Sequence, residues 1–238
     1  MRDLQDLQIQ PQPDDITCGP TCLHAVYRYF GDEVPLDRLV SEIPMLDEGG
    51  GTLEVMLGVH ALRRGYRATL HTFNLRVFDP TWFTQRVSLI EKLAAQAQVR
   101  RHPKIRLASL GYLDFLRLGG RVRFGDLTSS TLRAPLKRQL PVLTGLSATF
   151  LHRSMRELPE TNADDDVRGE PVGHFVVLCG YDHRRRTVLV ADPLENPGFG
   201  QKYSVPMTRV VGSIFLGVLT YDASCLVIEP KNGAEQDP

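Results

Sequence analysis

The stretch QPDDITCGPTCL at residues 12–23 is where a long helix is expected to begin. Gly19 gives the backbone a permissive entry, and Pro20 suits the first helical turn, where its missing N–H would have no partner in any case. Apolar residues then recur at helical spacing, at Leu23, Val26, Tyr27 and Phe30. Gly31 can adopt the left-handed conformation that ends a helix. The pattern therefore predicts a helix that starts near Cys18, after an extended polar segment.

Outward from this helix, helical patterns come first and most strand patterns come later. Further helices are predicted at 35–43, at 52–65 with Thr52 as N-cap after a turn at the triple glycine 49–51, at 82–101 and at 108–120. Strands are predicted at 66–75, 141–147, 173–181 and 187–192, with a further pair at 201–205 and 214–228. The acidic stretch 157–172 is expected to be an exposed loop. This order predicts an α+β fold in which an N-terminal helical part packs on a C-terminal antiparallel sheet.

The composition is that of an ordinary soluble globular domain. The 238 residues are 42% apolar and 24% charged, and 28 Lys and Arg balance 28 Asp and Glu. Without surplus cations, nucleic acid and anionic membranes are not expected partners. The N-terminus lacks a signal-peptide pattern, no stretch has the roughly 20 apolar residues of a membrane span, and four cysteines are few for this length. These features predict a cytoplasmic protein.

Cys18 is a candidate nucleophile because of its position at the start of a helix. A thiol there feels the positive end of the helix dipole and nearby unpaired backbone amides, and both favour the thiolate. The alternative is a small core residue that happens to precede a helix. A metal site at Cys18, Cys22 and His24 is not expected, because no second Cys/His pair has suitable spacing.

His174 and Asp192 lie at the ends of two strands that are neighbours in sequence. If 173–181 and 185–192 form a hairpin with a three-residue tip, His174 falls directly opposite Asp192. Directly opposed residues share a face, with β-carbons roughly 4.5–5.5 Å apart, so the imidazole and carboxylate could hydrogen-bond. A five-residue tip would shift this pairing by two positions. The carboxylate would then orient a ring whose other nitrogen activates a nucleophile.

Gln12 lies six residues before Cys18 on a segment held by prolines. Its side-chain amide could donate to a developing oxyanion, alongside the backbone N–H of Cys18.

Taken together, QPDDITCGPTCL at 12–23, GHFVVL at 173–178 and VADP at 190–193 resemble the C39 peptidases and C39-like proteins of the papain-like superfamily. The resemblance implies a papain-like fold in which Cys18 is the nucleophile, His174 the base, Asp192 its orienting partner and Gln12 part of the oxyanion hole. It implies a peptide or protein substrate and no cofactor or metal ion.

The resemblance covers about 10–70 and 135–195. The segment 73–130 has no counterpart in it and is interpreted as a helical insertion in a single domain, 1–230, followed by a polar tail at 231–238. Relatives that trim leader peptides after double glycine are usually fused to an ABC transporter. Neither a membrane segment nor an ATPase is recognised in this sequence, so leader processing coupled to export is not expected.

The predicted function is therefore a cysteine hydrolase that cleaves a peptide or isopeptide bond through a thioester. Two alternatives stay open: a transpeptidase or γ-glutamyl-type acyltransferase that uses the same thiol, and a catalytically silent peptide-binding module on a papain-like scaffold. One apolar stripe within the insertion is interpreted as core or as a docking face for a partner protein: Trp82, Phe83, Val87, Ile90 and Leu93.

Overall fold

The computed structural model describes residues 3–46, 51–85, 87–195, 200–220 and 223–231. Within these ranges one sheet has the strand order β2-β1-β7-β3-β4-β5-β6. The strands are β1 (Arg67–Thr72), β2 (Arg121–Phe124), β3 (Val142–Ser147), β4 (Gly173–Asp182), β5 (Thr187–Ala191), β6 (Lys202–Pro206) and β7 (Ser224–Glu229). The helices are α1 (Cys18–Tyr29), α2 (Leu36–Glu42), α3 (Glu54–Arg63), α4 (Thr81–Thr84), α5 (Leu89–Val99), α6 (Pro103–Arg117), α7 (Ser129–Lys137), α8 (Ala148–His152) and α9 (Met207–Leu216).

The α+β class is confirmed, although the sheet is not confined to the C-terminal part of the chain. Strands β1 and β2 precede the other five, and they pair in parallel, whereas every other adjacent pair is antiparallel. A parallel pair needs a long crossover connection, and α4, α5 and α6 supply it. Helix α1 packs on β4, and α3 packs on β1 and β7.

Strand β4 is buried over most of its length and carries His174 as its second residue. Val176, Val177 and Leu178 are completely buried between β3 and β5. A strand buried on both faces reads as a continuous apolar run, which is why FVVLC could be recognised in the sequence. The core thus fixes the backbone from which His174 projects.

The tip of the hairpin between β4 and β5 is longer than predicted. Asp182 pairs with Thr187, so the tip is the four residues 183–186 instead of three. The longer tip alone would shift β5 along β4 by three positions relative to the predicted pairing. Because side chains alternate between faces, an odd slide would turn Asp192 away from the face that carries His174.

A β-bulge in β4 corrects this mismatch. The register shifts between Leu178 and Gly180, which leaves Cys179 as the extra residue. Beyond the bulge Val177 pairs with Ala191, two positions from the predicted register. An even slide preserves the face, so Asp192 remains on the side of His174, beside it diagonally instead of directly opposite. The predicted direct pairing was therefore wrong, and the predicted shared face was right.

Several predicted helix and strand boundaries were also wrong. The predicted helix 82–101 is two helices, α4 and α5, and α5 begins after Ser88, whose side chain accepts from the Glu91 N–H. Thr52 is not an N-cap, because Leu53 holds that position and the Thr52 hydroxyl donates to the Pro44 carbonyl. The turn predicted at 49–51 falls mostly outside the described residues. The predicted strand 214–228 is the end of α9 followed by β7.

The acidic segment 157–172 is largely exposed, as predicted, and has local order of its own. Two isolated bridges join Glu157 to Asp164 and to Glu170. Among the helices of the described ranges, none combines the length and apolar character that crossing a bilayer requires.

Candidate active site

Cys18 is the first residue of α1 and is 9% exposed. Thr17 occupies the N-cap position, and its side chain makes no capping hydrogen bond to the helix. The Asp14 carboxylate instead accepts from the backbone N–H groups of Ile16 and Thr17, at 3.0 Å each, which shapes the turn that leads into α1. Cys18 therefore lies at a helix N-terminus that has no side-chain cap, where the helix dipole favours negative charge.

Gly19 lets α1 approach its neighbours closely. A Cβ at this position would lie 2.8 Å from Thr52 Cγ2 and 3.3 Å from the Phe175 ring. One turn further on, the Cys22 thiol donates to the Phe175 carbonyl oxygen at 3.3 Å. These contacts hold the start of α1 against β4, and hence hold Cys18 near His174.

His174 links Cys18 to Asp192. Its ring is buried, with 7% of the residue exposed, and Nε2 lies 2.7 Å from Asp192 Oδ1. Since Nε2 is engaged by the carboxylate, Nδ1 is the ring nitrogen left for the thiol of Cys18. Burial opposes a charge on this ring, but the hydrogen bonds to Asp192 and Cys18 outweigh it and raise the pKa of His174 to about 10. The site therefore favours the imidazolium form.

The Asp192 carboxylate is almost fully enclosed, at 1% exposure. Oδ1 also accepts from the Leu194 N–H at 2.9 Å, and Oδ2 lies 2.5 Å from the Tyr203 hydroxyl and 3.3 Å from His152 Nε2. Burial alone would raise the pKa of Asp192, yet hydrogen bonds from His152 and His174, with that of Tyr203, hold it well below the usual range. A buried carboxylate with this many donors stays ionised.

Sequence reasoning did not identify His152 and Tyr203, to which it assigned no site role. His152 belongs to α8 and Tyr203 to β6, 51 positions apart in the chain, and both reach Asp192 only after those elements have packed. The strand predicted at 201–205 did contain Tyr203, but no local pattern pointed to its partner.

The backbone of Gln12 is hydrogen-bonded to the chain directly after Asp192. Its N–H donates to the Pro193 carbonyl at 3.0 Å, which fastens the segment before Cys18 to the residue after Asp192. Its side-chain Nε2 donates to the Asp14 carbonyl at 2.7 Å, and its Oε1 is buried without a partner. One of the two Nε2 hydrogens is used in this way, which leaves the other available.

The remaining cysteines are buried, and all four thiols are free. Burial, followed by the charges of Cys18 and Asp192, raises the pKa of Cys22, as expected for a core thiol. Within the ranges listed above, no group of three or more His, Cys, Asp or Glu side chains could hold a metal ion.

The apolar stripe of the predicted insertion packs mostly against aromatic residues of the same segment and against the core. Leu93 is completely buried, and the Phe83 ring stacks on Phe124 with centroids 5.0 Å apart. Trp82 packs edge-on against Phe78. Ile90 is 39% exposed. The core interpretation accounts for most of this stripe, and a partner at the stripe stays a prediction.

Comparison with known proteins supports the family resemblance. Residues 120–214 match the model of the Peptidase_C39 like family. The matched segment contains His174 and Asp192 and excludes Cys18 and Gln12. The resemblance to C39-like peptidases is thereby confirmed, and it is the fold that brings the N-terminal pair to the matched segment.

Similarity to solved structures extends the comparison to 97% of the chain. A protein from Bacillus anthracis described as a C39-like peptidase is 16% identical with a TM-score of 0.53, and the alignment covers 97% of this chain and 98% of that one. Xylellain, a cysteine protease from Xylella fastidiosa, gives 15% identity, a TM-score of 0.49 and coverage of 97% and 85%. A double glycine motif protease from an AMS/PCAT transporter, in complex with the leader peptide, is 16% identical with a TM-score of 0.47. That alignment covers 97% of this chain and 96% of the other. The first of these carries the assignment of a papain-like fold. No curated protein matches the sequence.

Proposed function

We propose that this protein is a cysteine peptidase of the C39-like type, which cleaves a peptide or isopeptide bond with Cys18 as its nucleophile. The observation that carries the proposal is the His174 ring, which interacts with Cys18 on one side and hydrogen-bonds to the buried Asp192 on the other. The family match over 120–214 and the shared fold support the same class. All four free thiols are consistent with action in a reducing compartment such as the cytoplasm.

In the first half of the reaction the Cys18 thiolate attacks the carbonyl carbon of the scissile bond. The negative charge that develops on the carbonyl oxygen is stabilised by the Cys18 backbone N–H and by the second Nε2 hydrogen of Gln12. His174, protonated at Nδ1, donates this proton to the leaving amine as the C–N bond breaks. The products are a free amine and a thioester on Cys18.

In the second half His174 is neutral and acts as the general base. It takes a proton from water as the water oxygen attacks the thioester carbonyl. Collapse of the tetrahedral intermediate releases the carboxylic acid and returns the Cys18 thiolate and the His174 imidazolium. Asp192 stays ionised throughout and stabilises the imidazolium in both halves.

The test is the reactivity of Cys18 toward iodoacetamide at pH 5.5, followed by mass spectrometry of the folded protein. An ordinary thiol with a pKa near 8.5 is roughly 0.1% thiolate at this pH. An ion-paired thiolate should react about 10- to 100-fold faster than the cysteines of the urea-unfolded chain, since its lower basicity offsets part of the gain. Cys18→Ala should abolish this labelling, whereas Cys225→Ala, which removes a buried thiol of β7, should not.

Labelling that is no faster than in the unfolded chain would contradict the proposal and favour a silent binding module. Peptide-bond cleavage is then tested by incubating a mixed peptide pool with the wild-type protein and finding new termini by mass spectrometry. Cleavage that persists in Cys18→Ala would assign the activity to another group or to a contaminant.

A further inference from the structure

Asp192 divides its two oxygens between two sets of partners. Oδ1 faces His174 Nε2 at 2.7 Å and the Leu194 N–H at 2.9 Å. Oδ2 faces the Tyr203 hydroxyl at 2.5 Å and His152 Nε2 at 3.3 Å. His152 Nε2 is also 2.8 Å from the Tyr203 hydroxyl, so the three groups at Oδ2 form a closed triangle. The oxygen that His174 does not use is therefore held by a tyrosine and a second histidine.

The charges in this triangle determine its proton arrangement. Burial, together with the neighbouring Asp192, raises the pKa of Tyr203, so its hydroxyl keeps its proton. That proton goes to the ionised carboxylate, which is a stronger acceptor than a neutral ring nitrogen. The Tyr203 oxygen can still accept a hydrogen bond, and His152 must carry a proton on Nε2 in order to donate to it and to Asp192. Both residues therefore act as donors toward Oδ2.

His152 is not a second candidate for the general base. Its side chain is 8% exposed, and in the part of the chain that the structure describes no hydrogen bond joins it to Cys18. Its Nε2 is directed at Asp192 and Tyr203, in the same way that His174 Nε2 is directed at Asp192. Any effect on the thiol must therefore pass through the carboxylate.

We propose that His152 and Tyr203 are positioning residues that fix the plane of the Asp192 carboxylate and thereby hold the His174 ring toward Cys18. Two donors on Oδ2 prevent the carboxylate from rotating about its Cβ–Cγ bond, and Leu194 restrains Oδ1. Without them the carboxylate could rotate or take up a proton, and the imidazolium of His174 would lose stabilisation. This inference rests on the proposed thiol chemistry and adds to it two residues outside the predicted set.

The experiment measures the rate of Cys18 alkylation by iodoacetamide between pH 4.5 and 10.5 in wild type and in Tyr203→Phe, which removes one hydroxyl. A less stable imidazolium loses its proton at lower pH. The pH at which His174 deprotonates, and the thiolate–imidazolium pair is lost, should therefore fall by about 0.5–1 unit in the variant. Alkylation at pH 5.5 should fall about ten-fold, as expected for the loss of one charge-assisted hydrogen bond. A merely structural role would lower thermal stability without moving the pH profile.

The chain offers a matched control in a second buried tyrosine–histidine pair. The Tyr27 hydroxyl lies 2.9 Å from His60 Nδ1, and His60 Nε2 lies 3.0 Å from Glu42, a carboxylate that does not contact His174. Tyr27→Phe makes the same chemical change away from Cys18, and should leave the pH profile of alkylation unchanged.

His152 is tested by a pair of substitutions. The amide of His152→Gln can still donate toward Asp192, so this variant should retain most of the wild-type rate, while His152→Leu should reproduce the Tyr203→Phe profile. The proposal is overturned if Tyr203→Phe and His152→Leu both have the wild-type profile, or if Gln and Leu at 152 behave alike. Wild type that lacks fast alkylation at pH 5.5 would instead overturn the proposed function, so the two failures are distinguishable.

Discussion

Gly19 illustrates how one side chain, or its absence, sets the position of the nucleophile. The residue after Cys18 must pass so close to Thr52 and Phe175 that no Cβ fits without displacement. From the sequence, Gly19 was interpreted only as a residue that permits the backbone to enter the helix. The stronger reason for a glycine here is the close approach to Thr52, which only the three-dimensional structure reveals.

We expect Gly19→Ala to destabilise the domain by about 1–3 kcal/mol, because the new Cβ overlaps Thr52 Cγ2 at 2.8 Å. Thr52→Ser removes that methyl and keeps the hydroxyl that donates to Pro44. In the Thr52→Ser background the same substitution should be neutral or stabilising, since alanine is preferred to glycine within a helix by about 1 kcal/mol. Urea denaturation of the four proteins measures the coupling, and additive effects would contradict the account.

Candidate site residues could be singled out in the sequence only where a local signal existed. Cys18 lies at the start of a predicted helix, His174 at the start of a predicted strand, and Asp192 in an Asp-Pro turn. A few neighbouring residues were therefore enough to single out each of them. His152 and Tyr203 have no such signal. Their role depends on where α8 and β6 meet Asp192, which is a tertiary fact.

At the scale of elements, the register of β4 and β5 decides whether the imidazole and carboxylate share a face. The turn 183–186 and the bulge at Cys179 each move the register, and only together do they preserve the face. Sequence patterns locate strands well but do not reveal a one-residue bulge, so the predicted direct pairing failed although its chemical consequence held.

Deletion of Cys179 should remove the bulge without changing the register, because Leu178 and Gly180 already pair with the consecutive residues Val190 and Leu189. His174 and Asp192 should therefore stay on the same face, and fast alkylation of Cys18 at pH 5.5 should be retained. Cys179→Ala keeps the bulge and should retain fast alkylation as well. Circular dichroism checks that both variants fold, and a folded deletion variant that loses fast alkylation would contradict the assignment of Cys179 as the residue that the ladder skips.

At the scale of the whole molecule, the site joins distant parts of one chain. Gln12 and Cys18 come from the N-terminal segment, and His174 and Asp192 from strands near the C-terminus. The sequence predicted this meeting and the α+β class. It did not predict that β1 and β2 extend the sheet through a parallel crossover, because strand order depends on long-range packing, which a local pattern does not encode.

Such a site should make global stability depend on pH. The pKa of His174 is raised to about 10 from 6.5, so its contribution is fully present below pH 6.5 and is lost as pH rises toward 10. The free energy of unfolding should fall across this window by up to about 1.4 kcal/mol per pH unit from this group. His174→Gln should lack that component. Urea denaturation at pH 6.5, 8.0 and 9.5 compares the two, and parallel curves would contradict the raised pKa.

The central claim is that the His174 imidazole, held by Asp192, maintains Cys18 as a thiolate. The most direct measurement is the pH profile of Cys18 alkylation in wild type beside that in His174→Gln, each with its fold verified by circular dichroism. We predict that alkylation at pH 5.5 is about 10- to 100-fold faster in the wild type than in the variant, because only the wild type has an imidazolium to stabilise the thiolate. Profiles that superimpose would contradict the claim.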